Sequence, residues 1–409
     1  MSNLPKDWEL KRIGSFAIIV TGNTPPTKDI ENFGNEYPWI TPTDIKSSKD
    51  IFSSERKLSE KGYSISRQLP KNTVLITSIA SIGKNAILRE NGSCNQQINA
   101  ILPSENHNTD FIYYWFEKNT DYIKSLAGQT AVPILNKKDF SNIIIPLPPL
   151  EEQKKIADIL STVDKKIAFV EENINATEEL KKGLMQKLLT EGIGHTEFKD
   201  SELGRIPESW EILTLNNIIS LLTDYHANGS YEKLKENVEL LEKENYAVMI
   251  RTTNFENNDF KNNLIYITEH AYDYLKKSKV NENDIVINKI ANAGATYIMP
   301  KMSKPVSLAM NLFLLKLINT VDNKFVYLQI KKREENLKAL ASGTSTKTIT
   351  KNDVKNFVIA LAPIEEQKQI AEILSTVDKK LENLKEKKQS FEELKKGLMK
   401  KLLTGDVRV

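Results

Sequence analysis

Two stretches of the chain carry apolar residues at alternating steps of four and three. Ile156, Leu160, Val163, Ile167, Val170, Ile174 and Thr177 form the first, and Ile370, Leu374, Val377, Leu381 and Leu384 the second. Lys388 interrupts the second stripe, and Phe391, Leu398 and Leu402 resume its frame. This spacing puts the apolar side chains on one seam of a long helix, as in a coiled coil. Pro149 and Pro363 stand just before the stripes, followed by Glu151-Glu152 and Glu365-Glu366. Proline and acidic residues suit the unpaired amides and dipole of a helix start. The pattern predicts helices over 150–190 and 363–405, each roughly 40 residues and about 60 Å long at 1.5 Å per residue. The segments before them, 1–149 and 207–362, are unlike this. They hold short β-rich apolar runs broken by Gly, Asn and Ser, with one or two helices, which reads as α+β.

The two helical stretches are nearly the same text. EEQKKIADILSTVDKK begins at Glu151 and EEQKQIAEILSTVDKK at Glu365, an offset of 214 (365 − 151). The offset persists through Glu178–Met185 and Glu392–Met399 to Thr190 and Thr404. The globular segments repeat more weakly. Pro5-Lys6-Asp7-Trp8-Glu9 matches Pro207-Glu208-Ser209-Trp210-Glu211, and Asn72–Ile76 matches Asn283–Ile287, each followed by a glycine (Gly83, Gly294). Phe111–Tyr114 pairs with Phe325–Leu328, and Gly128-Gln129-Thr130 with Gly343-Thr344-Ser345. Near-identical helices between diverged domains suggest one partner bound twice and two different targets. The division expected is a first domain at 1–149, a helix at 150–190, a linker at 191–206, a second domain at 207–362, a helix at 363–405 and a tail at 406–409. The linker of about 16 residues reaches roughly 53–58 Å when fully extended. A parallel helix pair would need it to retrace the whole first helix, so the helices are expected to run antiparallel, giving a pseudo-twofold internal repeat.

At 409 residues the chain suits two domains plus connecting elements. No run approaches the roughly 18–20 apolar residues needed to span a bilayer. MSNLPKDWELK lacks an apolar signal core, so a cytoplasmic location is expected. Cys94 is the sole cysteine, which excludes intrachain disulfides and a cysteine zinc site. The net charge of +3 is only mildly basic, so any nucleic-acid contact must rely on local patches or on a partner.

The run Pro146–Ala157 (PLPPLEEQKKIA), its counterpart Ala362–Ala371 (APIEEQKQIA), the S-T-V-D-K-K and E-L-K-K-G-L-M-x-K-L-L-T tails and the linker Glu197–Glu211 closely resemble the specificity subunit of type I restriction-modification enzymes. The resemblance covers the whole chain. It implies two target-recognition domains, each reading one half of an asymmetric bipartite site on double-stranded DNA, separated by two long antiparallel helices that set the gap. It implies two copies of a methylation subunit, which modify adenine with S-adenosylmethionine. It also implies two copies of an ATP-driven nuclease/translocase subunit, with Mg²⁺. These cofactors are expected on the partner subunits and none in this chain, which is expected to do no chemistry itself.

The residues agree with a non-catalytic chain. There is no Asn/Asp-Pro-Pro-aromatic motif for a flipped adenine and no G-x-x-x-x-G-K-[ST] loop for ATP. His107, His195, His226 and His270 lack metal-ligand spacing. One arrangement suggests a nuclease: Asp44 followed by Glu55-Arg56-Lys57, where two carboxylates could hold Mg²⁺ and the lysine steady a water. The plainer reading is a polar loop beside Trp39-Ile40. A rival of another class is a coiled-coil scaffold that joins two protein-binding domains without touching DNA.

Base reading needs Arg, Lys, Asn, Gln, Thr or Ser at a groove, and phosphate contact needs Lys, Arg, hydroxyls and amides. On loops flanking apolar strands, the first domain offers Thr41, Thr43, Thr77, Ser78, Ser81, Lys84, Asn85, Asn95, Gln96, Gln97 and Gln129. The second offers Arg251, Thr252, Asn254, Asn288, Lys289, Asn292, Thr296, Thr344, Ser345 and Lys347. Each could instead cap its own backbone. The methylation subunits are expected to grip the helices near Glu151–Lys166 and Glu365–Lys380, where exposed positions also match; the alternative is that this identity serves helix packing.

Overall fold

The computed structural model describes residues 4–46, 48–127, 133–343 and 346–409. The long helices run Leu150–Leu188 and Ile364–Leu402. The chain divides into two units that each take part of both helices: residues 1–173 with 384–409, and residues 174–383.

In the first unit a five-stranded sheet has the order Ile19–Thr21, Ile98–Ile101, Thr73–Thr77, Asn85–Leu88, Asp50–Ile51. All its pairings are antiparallel except the last. Thr73–Thr77 is central and wholly buried, which suits its run of β-branched and apolar residues. One face packs on the aromatic helix Thr109–Lys118, whose Phe111, Tyr114 and Phe116 are fully buried. Glu9–Arg12 pairs antiparallel with Ile144–Leu147, so the start of the domain is tied to the strand that feeds the helix.

The second unit repeats this plan. Ile219–Asp224, Leu312–Leu317, Ile285–Asn288 and Thr296–Ile298 form its main sheet. Helix Asn323–Lys332 stands where Thr109–Lys118 does, and Glu211–Thr214 pairs with Val358–Leu361. The segment 191–206, expected as a plain linker, contributes to a hairpin of Phe198–Ser201 and Gly204–Pro207. Gly204, at φ +91°, makes its turn.

Antiparallel pairing of the helices is visible inside each unit. In the first, Asp164 meets Lys395 at 2.8 Å and Glu171 meets Lys388 at 3.0 Å, while Ile156 and Leu160 share a core with Met399 and Leu402. In the second, Lys181 meets Asp378 at 2.5 Å, and Leu184, Met185 and Leu188 pack with Ile370 and Leu374. In both, numbers rise on one helix as they fall on the other.

Each helix is also clamped to its own domain by the repeated Glu-Glu-Gln. Gln153 donates to the Pro148 carbonyl (2.8 Å) and accepts from the Asn108 amide (2.8 Å). Gln367 donates to the Ala362 carbonyl (2.7 Å) and accepts from the Asp322 amide (2.8 Å). Asn108 and Asp322 cap the aromatic helices, so one glutamine fixes both helix starts. Trp8 Nε1 donates to Glu152 and Trp210 Nε1 to Glu366, both at 3.0 Å. Part of the identity in the helix starts therefore serves packing inside the chain.

Candidate nucleic-acid interface

The two domains build one loop twice on a shared backbone. Between strands Thr73–Thr77 and Asn85–Leu88 the chain turns through Ile79-Ala80-Ser81-Ile82-Gly83. Between Ile285–Asn288 and Thr296–Ile298 it turns through Ile290-Ala291-Asn292-Ala293-Gly294. Ala80 and Ala291 have φ of +60° and +67°, and Gly83 and Gly294 are both at +87°. The Gly83 amide donates to the Thr77 carbonyl and the Gly294 amide to the Asn288 carbonyl; the Lys84 and Ala295 amides donate to Ser81 and Asn292. A Cβ on Gly294 would come within 2.9 Å of the Lys338 amide nitrogen, so glycine is required by space as well as by φ. An alanine held left-handed is strained, and such strain gathers where a loop must keep one shape. The shared Ile-Ala-x-x-Gly pattern is the sequence signal for this loop.

A second loop lies against each turn. The Leu135 amide donates to the Ser78 carbonyl, and the Ile349 amide to the Lys289 carbonyl. These contacts bring Leu135 and Ile349 beside the hairpins. Gln129, Thr344 and Ser345 themselves lie outside the described residues.

The candidates divide by what their polar atoms already hold. Thr77 is buried, donates to the Ser81 carbonyl (2.5 Å) and accepts from the Lys84 amide. Ser78 donates to Gln97 O, Asn85 to Tyr113 O, and Asn95 fixes Gln97 through its amide and side chain. Asn254 caps a short helix by accepting from the Arg251 amide and donates to Asp259 O. Thr296 donates to Gly294 O. Asn288 is buried and accepts from Thr252 Oγ1 (3.2 Å), while its Nδ2 has no partner among the described residues. These side chains shape the loops from within. Arg251 Nη2 is committed to Asn263 O, and Lys289 to Asp224 at 3.2 Å. Burial works against ionisation of Asp224, but Lys289 and Lys351 hold its carboxyl below the usual range.

Exposed at the rims are Lys84, Asn292 and Lys347, with Ser81 half-buried at the hairpin tip. Gln96 is exposed and accepts from Thr24 (2.6 Å). The hairpins thus share a backbone and differ at Ser78/Lys289, Ser81/Asn292, Ile82/Ala293 and Lys84/Ala295; of these residues Lys84 and Asn292 are exposed, whereas Ala295 is buried.

Thr41 and Thr43 belong to a separate turn organised by Asp44. Asp44 Oδ2 accepts from the Thr41 amide (2.9 Å) and hydroxyl (2.7 Å), and Oδ1 accepts from the Glu55 amide (2.9 Å). The carboxylate in the candidate nuclease arrangement is therefore a staple for the loop. Among the described residues no three His, Cys, Asp or Glu side chains gather as a metal site.

Residues 5–179 and 207–393 each match the type I restriction modification DNA specificity domain. The chain is 29% identical over 426 residues to the type I restriction enzyme MjaVIII specificity subunit of Methanocaldococcus jannaschii, covering 99% of this chain and 94% of that one. It is 31% identical over 429 residues to the putative MjaX specificity subunit of the same organism, covering 100% and 96%. The fold matches the crystal structure of a type I restriction-modification S subunit from M. genitalium with a TM-score of 0.62 at 16% identity, over 98% of this chain and 97% of that one. Two matched domains, the full-length relatives and the shared fold place this chain in the type I restriction-modification DNA specificity family.

Proposed function

We infer that this chain is the DNA sequence-specificity subunit of a type I restriction-modification complex and carries no catalytic centre of its own. Each domain reads one half of a bipartite site. The observation that carries this reading is the hairpin built twice with one backbone and different tip side chains, which is how one framework presents two specificities. Lys84 and Lys347 suit phosphate, and Ser81 and Asn292 suit base edges. The two half-sites therefore differ. Two copies of the methylation subunit dock on the helices, and two copies of the nuclease/translocase subunit complete the assembly. S-adenosylmethionine, ATP and Mg²⁺ belong to those partners, and the complex works in the cytoplasm. A structural neighbour described for complex assembly of the type I R-M system, with a TM-score of 0.56 over 100% of both chains, supports assembly on this fold.

Mapping adenine methylation across the host genome with this gene intact and deleted tests the reading. Loss of one asymmetric, gapped motif on deletion is expected. If no gapped motif depends on the gene even when the methylation subunit is co-expressed, the reading fails. Affinity of the assembled complex for DNA should fall steeply with salt, which a purely protein-joining scaffold would not show.

A further inference from the structure

In the first unit, the two long helices leave a groove of about 420 Å³ lined by Thr162, Lys165, Lys166, Phe169, Val170, Lys387 and Phe391. At roughly 100° per residue, Lys166 and Phe169 lie about 140–200° round the first helix from Asp164. Asp164 is the residue that Tyr114 of the domain contacts, at 2.6 Å. The groove therefore opens away from that contact. Phe169 is 66% exposed and Phe391 is half-buried beside it in the lining. Large apolar side chains on a surface otherwise covered by Glu and Lys mark a place that something covers.

The charges around it matter as much. Some lysines on these helices are paired: Lys154 with Glu151, Lys181 with Asp378, Lys368 with Glu365, Lys388 with Glu171 and Lys395 with Asp164. Lys165, Lys166 and Lys387 have no carboxylate partner among the described residues. Lys166 and Lys387 instead stand over the Phe391 ring at 5.8 and 6.0 Å. The result is an aromatic floor rimmed by three uncompensated cations.

The groove is not repeated. At the same offset of 214, Phe169 becomes Asn383, Val170 becomes Leu384, Lys387 corresponds to Asn173 and Phe391 to Thr177. The lysines at 165 and 166 recur as Lys379 and Lys380, but both aromatic residues are lost. Whatever uses the duplicated surface can bind twice; an occupant of this groove has one place per chain.

We propose that this groove is a single-copy docking site for an acidic amphipathic helix of a protein partner, seating an apolar side chain between Phe169 and Phe391 and carboxylates against Lys165, Lys166 and Lys387. A helix in a groove anchored by a few apolar residues is a common mode of recognition, and buried aromatic residues dominate such contacts. A DNA phosphate backbone would use the lysines but leave the two phenylalanines without partners, so the protein occupant is favoured. This site is independent of the base-reading loops.

The test uses the full chain and a fluorescent 18-residue peptide with Leu at helical i, i+3, i+4 and i+7 spacing and Glu elsewhere. A peptide with Lys in place of Glu and a 30-base-pair duplex serve as competitors. The acidic peptide should bind one per chain, more weakly as salt rises. Phe169→Ser should weaken it at least tenfold, and so should Lys166→Glu with Lys387→Glu. The latter variant should gain binding of the lysine peptide. Circular dichroism of each variant verifies that the helices persist. Equal binding by wild type and variants, two peptides per chain, or no binding would overturn the proposal. Displacement of the peptide by the duplex in wild type but not in Lys166→Glu/Lys387→Glu would assign the groove to nucleic acid instead and equally overturn it.

Discussion

Glu152 and Glu366 occupy equivalent places 214 residues apart (366 − 152), yet different residues hold them. Each accepts a tryptophan indole N–H from its domain. Glu152 is then gripped by Arg408 of the C-terminal tail, at 2.6 and 2.8 Å, and Arg408 also forks onto Asp7. Glu366 takes the Ile193 amide (2.8 Å) and His195 Nε2 (2.9 Å), from the stretch after the first helix. Burial works against ionisation of Glu152, but Arg408 and Trp8 overcome it and hold the carboxyl below its usual range. Its folded pKa is lowered, so it stabilises the native state above the unfolded carboxylate range and loses that contribution as pH falls through its folded value. Glu152→Ala leaves the Trp8 N–H buried without an acceptor and should cost about 1–3 kcal/mol in urea unfolding at pH 7. Glu152→Gln, which keeps an acceptor, should cost less. His107 adds to acid sensitivity. It is 4% exposed, and burial pushes its imidazole down to about 4. The unfolded chain takes up that proton near 6.5, so stability should fall as pH drops from about 6.5 towards 4, by at most about 1.4 kcal/mol per pH unit. His107→Phe should flatten the unfolding midpoint over that window.

The elements show the same economy of one device used in both units, with local exceptions. Lys388 breaks the apolar stripe, and its ammonium reaches Glu171 on the other helix at 3.0 Å, so a charge in the seam is answered across it. A polar residue at such a position favours one register over slipped alternatives. Gly183 and Gly397 sit well inside the helices, where glycine is unfavourable, and a Cβ at either would meet nothing within 4 Å. Packing within the chain gives no reason for them. Gly183→Ala and Gly397→Ala should each stabilise the isolated chain by about 0.8–1 kcal/mol, read as a higher thermal midpoint. A loss of stability in either variant would show that the glycine backbone is in use inside the chain.

At the scale of the whole molecule, the large repeat was legible because it is written in exposed residues as well as buried ones. The helix starts at Leu150 and Ile364, the antiparallel pairing, and the matching strands ending at Thr77 and Asn288 all follow from periodicity, chain length and the repeated text. The polar loops were not legible at the same level. Thr77, Ser78, Asn85, Asn254 and Thr296 have the right chemistry for DNA, but the same hydroxyls and amides satisfy buried backbone, and only the folded loop decides between the two uses. Nor does local sequence show that Arg408 lies beside Glu152, since that contact joins residues 256 apart. What the repeat does fix is a register that can be edited. Removing residues 167–173 and 386–392 together takes one heptad from each helix. The stripe stays in frame, Asp164 still faces Lys395 and Lys181 still faces Asp378. Each helix becomes about 10 Å shorter at 1.5 Å per residue. If the helices act as the spacer of a bipartite reader, the methylated motif in cells carrying this variant should keep both half-sites and have a shorter gap. A motif with the original gap would refute that role, because the loops that read the half-sites are untouched; the deletion also removes Phe169, Lys387 and Phe391 of the groove, so Phe169→Ser, which keeps the helix length, should retain the original gap.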